Sequence, residues 1–159
     1  MSTLIAYASK HGCTERCAEK LAQGLGDKVE LYDLKSGKSI ELSQYDKVII
    51  GSSVYVGKVQ KEATEFCTKN LDVLGSKKIG LFICGSQEGE ALKLELDSAY
   101  PQELQAKAIA IDCFGGEFTF SKMNFMEKTI VKVISKTNKD TSNIKDDKIN
   151  DFMHIMKNA

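Results

Sequence analysis

The hexapeptide Ser9-Lys10-His11-Gly12-Cys13-Thr14 follows a short apolar run, Thr3 to Ala8, and precedes a stretch with helical spacing of apolar residues. The start of a helix carries unpaired N–H groups and a partial positive charge. Gly12 allows positive φ and lets the backbone come close to an anion. Ser9 and Thr14 add hydroxyl donors, Lys10 adds a cation, and His11 adds a backbone N–H. This set suits a phosphate monoester. The same residues also read as a polar βα turn in which Thr14 caps the helix. Neither GxxxxGK[ST] nor GxGxxG occurs, so the loop is not of the nucleoside-triphosphate or dinucleotide kind.

Two more loops of small polar residues follow apolar runs. The first is Gly51-Ser52-Ser53-Val54-Tyr55-Val56-Gly57, and the second is Cys84-Gly85-Ser86-Gln87-Glu88-Gly89. Small residues leave room for a flat ligand, and Tyr55 could stack on an aromatic ring. Tyr55 in a surface loop packing on a neighbour is the plainer alternative. The two histidines, His11 and His154, are too far apart in sequence to show metal-ligand spacing. Cys13 and Cys17 lie one helical turn apart, while Cys84 and Cys113 each end a strand-like run. Packing as small hydrophobes accounts for all four.

The elements that must position these loops alternate in type. Strands are predicted at Thr3–Ala8, Lys28–Leu34, Lys47–Gly51, Lys78–Cys84 and Ala106–Phe114. Helices are predicted at Thr14–Leu25, Gln60–Leu74, Glu88–Tyr100, Lys122–Ser135 and Ile144–Lys157. Lys35 to Tyr45 is too short and polar for a full helix and reads as a loop or a single turn. Such alternation gives a parallel sheet with helices on both faces, joined by right-handed crossovers. Ligands of such sheets bind beyond the carboxyl ends of the strands, where all three loops fall.

Composition sets the outer bounds. The chain has 159 residues, 42% apolar and 28% charged, which fits one globular domain over 1–159. Its 22 basic and 22 acidic residues cancel, which argues against nucleic acid as the main partner. Arg16 is the sole arginine, so bidentate arginine clamps are almost excluded. Five cysteines without a CxxC motif imply free thiols in a reducing cytoplasm. Met1-Ser2-Thr3-Leu4 does not open a leader segment, and no apolar stretch approaches membrane-spanning length.

Over almost its whole length the pattern resembles flavodoxins. Ser9-xx-Gly12-x-Thr14 is similar to their phosphate loop, Gly51 to Gly57 to their first isoalloxazine loop, and Cys84-Gly85 to the start of the second. The stretch after Phe114 looks more like the flavodoxin-domain branch that includes menaquinone-dependent protoporphyrinogen oxidase. The resemblance implies a three-layer α/β/α sandwich with a five-stranded parallel sheet of order 2-1-3-4-5. It implies FMN, with Ser9, Lys10, His11, Gly12, Cys13 and Thr14 at the phosphate. Ser53, Val54, Tyr55, Val56, Gly57, Cys84, Gly85 and Ser86 would then lie around the ring. No side chain is needed as acid, base or nucleophile, because the flavin carries the chemistry.

Three functions follow as expectations. The first is electron transfer through FMN to a redox partner protein. The second is oxidation of a tetrapyrrole such as protoporphyrinogen, with electrons passed to a quinone. The third is a flavodoxin-like interaction module without flavin. An additional helix at about 122–136 carries Lys128, Lys132 and Lys136 in one stripe. That stripe is either a solvated edge or a peripheral contact with an anionic membrane.

Overall fold

In a computed structural model of the chain, residues 2–10, 12–26, 28–55, 58–85, 89–118 and 141–159 are described. Five parallel strands form the sheet: β1 (Thr3–Ala8), β2 (Val29–Asp33), β3 (Lys47–Tyr55), β5 (Lys78–Cys84) and β6 (Ala110–Cys113). Their order is β2-β1-β3-β5-β6, and a short β4 (Lys58–Val59) pairs antiparallel with the end of β3. Counting only the parallel strands, this is the expected order 2-1-3-4-5. The register aligns the strand ends that matter. Ala8 faces Ser52, Ser53 faces Cys84, and Ile83 faces Cys113.

Alternation along the strands divides the core between two faces. Leu4, Ala6, Ala8, Val48, Ile50, Ile79, Leu81 and Ile83 point to one side. There they meet α2 (Lys61–Lys69), α3 (Leu71–Leu74), α4 (Gly89–Ala99) and α5 (Gln102–Lys107) through Ala63, Cys67, Leu74, Ala99 and Leu104. Ile5, Tyr7, Ile49, Phe82 and Cys84 point to the other side. There α1 (Cys13–Leu25) and α6 (Asp146–Lys157) cover them with Cys17, Ala18, Leu21, Ile149, Phe152 and Met156. Phe82 stacks on Phe114 with centroids 4.7 Å apart, and Phe152 meets both rings edge-on. Gly80 makes the close packing of α6 possible, since a Cβ there would lie 2.8 Å from both Met156 Sδ and Phe152 Cζ. The result is the expected three-layer α/β/α sandwich. No helix among the described residues is long and apolar enough to cross a membrane.

Several boundaries differ from expectation. The strand expected to stop at Gly51 runs on to Tyr55, because Val54 and Tyr55 pair with Val59 and Lys58 of β4. The helix expected over Gln60–Leu74 divides at Asn70, whose backbone leaves helical values and whose Nδ2 donates to the Phe66 carbonyl at 2.9 Å. The last predicted strand begins later than Ala106. Pro101 instead opens α5, and Gln105 Nε2 ties that helix back to the Tyr100 carbonyl at 2.9 Å. Pairing with β5 starts only where the Ile109 N–H donates to the Ile79 carbonyl. The final helix starts at Asp146 because Thr141–Ile144 forms β8, paired antiparallel with β7 (Gly115–Phe118). In place of a helix, the stretch Lys35 to Tyr45 and its entry hold two single 3-10 turns, Leu34–Ser36 and Leu42–Gln44, with irregular chain between them. The additional helix expected at 122–136 and its lysine stripe lie outside the described residues.

Candidate functional site

The turn between β1 and α1 is built by its own side chains. Gly12 stands at the N-cap of α1 in the left-handed region, with φ 90° and ψ −7°. A side chain there would be strained, so glycine is what allows the turn. Ser9 Oγ accepts from the Gly12 N–H at 2.9 Å and closes the loop on itself. Its own hydroxyl hydrogen is left to donate elsewhere. α1 has no side-chain cap, so Thr14 does not play the capping role that the plainer reading gave it.

Thr14 is fully buried, and its Oγ1 lies 2.6 Å from Ser53 Oγ. The Lys10 N–H donates to the same Ser53 Oγ at 3.3 Å. Ser53 therefore fastens the β1–α1 turn to the end of β3. Ser52 does the next job along the strand, with its Oγ accepting from the Gln60 N–H at 3.3 Å. Two adjacent serines thus hold the turn on one side and the start of α2 on the other.

The end of β5 closes the third side. The Gly85 N–H donates to the Gly115 carbonyl at 2.8 Å, and Cys113 Sγ lies 3.5 Å from the Gly85 carbonyl. A Cβ on Gly85 would lie 3.1 Å from Glu95 Oε2 and 3.3 Å from Val54 Cβ. Ser9, Lys10, Thr14, Ser52, Ser53 and Gly85 therefore meet at the carboxyl ends of β1, β3 and β5. The backbone of Tyr55 belongs to β3, so it continues the strand and does not begin a free loop. His11, Val56, Gly57 and Ser86 lie outside the described residues.

Sequence reasoning missed two features. Glu95 is buried on α4, and its Oε2 has no hydrogen-bond partner among the described residues. Burial pushes its carboxyl above the usual range. The signal was present: Glu95 follows Leu92 by three and precedes Ala99 by four, which places it on the inward stripe of α4. The second feature is a group of three thiols. Cys13, Cys17 and Cys84 are all buried, and their Sγ atoms lie within 4.8 Å of one another. Hydrogen bonds from the Cys13 and Cys84 thiols pull Cys17 below the ordinary thiol value. The bond to Cys17 pushes Cys13 above it. Cys17 and Cys84 are 67 residues apart, and only the packing of α1 on the sheet brings them together.

With that geometry in place, known proteins give the comparison. The family described as "Flavodoxin domain" matches residues 4–145. The protoporphyrinogen IX dehydrogenase [quinone] of Leishmania major is 22% identical, over 98% of this chain and 72% of that protein. The two-electron reduced flavodoxin of Megasphaera elsdenii, solved in solution, superposes with a TM-score of 0.62 at 17% identity, covering 99% of both chains. The Fusobacterium nucleatum flavodoxin bound to flavin mononucleotide gives a TM-score of 0.53 at 14% identity, over 99% of this chain and 98% of that one. The structural likenesses bear on fold alone, and the family match extends over all three strand ends described above. The chain belongs to the flavodoxin-domain family.

Proposed function

We propose that the protein binds FMN and works as an electron-transfer flavoprotein. The observation that carries this reading is Gly12 in left-handed conformation at the start of α1, fastened through Ser53 to the end of β3. The donor set fits a phosphate monoester: helix-start amides, a closely approaching glycine and the Ser9 hydroxyl. Ser9, Lys10, His11, Gly12, Cys13 and Thr14 would hold the phosphate. Ser53, Val54, Tyr55, Val56, Gly57, Cys84, Gly85 and Ser86 would border the ring.

Bound FMN supplies the one- and two-electron chemistry. The chain's own part is to hold the phosphate by fixed dipoles and to keep the strand ends in register. The acceptor is a redox partner, and five free thiols favour a cytoplasmic setting. The whole chain would act as one domain.

A second reading is favoured by the relative from Leishmania major, whose similarity extends over 98% of this chain. In it, bound FMN would supply the oxidation of a tetrapyrrole, with a quinone as the acceptor.

Fluorescence titration with FMN tests the first step. The wild-type chain is expected to quench FMN stoichiometrically. Gly12→Asp adds bulk and negative charge at the phosphate and is expected to weaken binding by at least about tenfold, roughly 1.4 kcal/mol. A wild-type chain that ignores FMN would leave the interaction module as the answer. Turnover of protoporphyrinogen with a menaquinone analogue would select the second reading over a carrier. Reduction by a ferredoxin reductase without that turnover would select the carrier.

A further inference from the structure

We infer that Cys13, Cys17 and Cys84 form a three-coordinate thiolate site for a soft monovalent metal ion, of which Cu(I) is the type. The placement comes from two elements. Cys13 and Cys17 stand one turn apart on the face of α1 that meets the sheet, and Cys84 is the last residue of β5 on that same side. The three Sγ atoms lie within 4.8 Å of one another, and Cys17 and Cys84 are 3.7 Å apart. A metal bonded to sulfur at about 2.3 Å in the centre of a triangle needs sulfurs about 4 Å apart. The thiols are therefore already near the spacing that such an ion requires.

The donor set selects the ion. Thiolates favour Cu(I), zinc and iron–sulfur clusters over hard cations. Zinc takes four ligands in closed sites. Among the described residues no histidine, carboxylate or further cysteine joins the three sulfurs. Three sulfurs, the full donor set among the described residues, suit three-coordinate Cu(I). All three side chains are nearly excluded from water, which protects bound Cu(I). Binding replaces the thiol protons with the metal, so protons are released as the ion enters. Lys20 and Arg16 act on Cys17 and offset part of the negative charge of the complex.

The test is a competition under anaerobic, reducing conditions. Cu(I) held by the chromophoric chelator bathocuproine disulfonate is titrated with the full chain. The wild-type chain is expected to withdraw one equivalent. Cys17→Ser and Cys84→Ser should each lower the affinity at least tenfold, while Cys67→Ser, buried on the opposite face of the sheet, should not. X-ray absorption of the copper-loaded wild-type chain should show three sulfur neighbours, a readout that does not depend on how the variants fold. A wild-type chain that withdraws no copper overturns the site. So does a loss in Cys67→Ser equal to that in Cys17→Ser, or a copper ion with two neighbours.

Discussion

Glu95 sits on α4 against Gly85, and its buried Oε2 has no hydrogen-bond partner among the described residues. Burial raises its pKa above the ordinary 4.5, so the folded chain holds this proton more tightly than the unfolded chain. Below both values the two states bind it equally, and the residue adds no pH dependence. As pH rises past 4.5 the unfolded chain releases the proton first, and folding stability falls until the folded carboxyl has also ionised. Glu95→Gln removes that loss. The variant is expected to gain stability over wild type in mildly alkaline buffer and little in acid. Urea unfolding at the two pH values checks it, and an equal gain in both would refute the cause given. At this scale the sequence revealed residue types but not partners. Ser53 and Thr14 were both legible as candidates, yet their mutual hydrogen bond joins residues 39 apart. It depends on the alignment of β1 with β3, which no local spacing encodes.

Among the elements, β1 and β5 were legible to the residue because each is a continuous apolar run between polar boundaries. β3 and β6 were less so. The extra length of β3 comes from β4, and the short β6 begins only where β5 offers a partner. Helix ends behaved similarly: Asn70 looked permissible inside a helix, and its side chain breaks one. Tyr100, at the turn from α4 to α5, gives an element-scale test. Its hydroxyl lies 2.6 Å from the Phe82 carbonyl and 3.1 Å from that of Ile50, deep in the core. Tyr100→Phe keeps the ring and loses this link between the helical layer and the two central strands. It is expected to cost about 1 kcal/mol by denaturant unfolding. No change in the midpoint would mean that the hydroxyl contributes nothing net.

For the molecule as a whole, the layer architecture followed from the alternation of elements, and the strand order came with the family resemblance. A net charge of zero has its own consequence. Electrostatic steering speeds encounters by roughly 10- to 1000-fold where the fields are strong, and it falls steeply with salt. Here the association rate with a redox partner is expected to change less than about threefold between low and physiological salt, by stopped-flow. FMN itself should stabilise the fold by mass action. At 100 times its dissociation constant it adds about 2.7 kcal/mol, which a melting scan would read as a Tm rise of roughly 5–10 °C. The β7–β8 pair offers a different kind of consequence. Phe118 stands directly opposite Thr141, so the chain departs from the sandwich and returns to it through a single doorway. The antiparallel stem holds these two points of the chain side by side through its own backbone ladder, from Gly115 opposite Ile144 to Phe118 opposite Thr141. Splicing Asn-Gly between Phe118 and Thr141, the shortest turn such a stem accepts, should leave a chain that still folds and still quenches FMN.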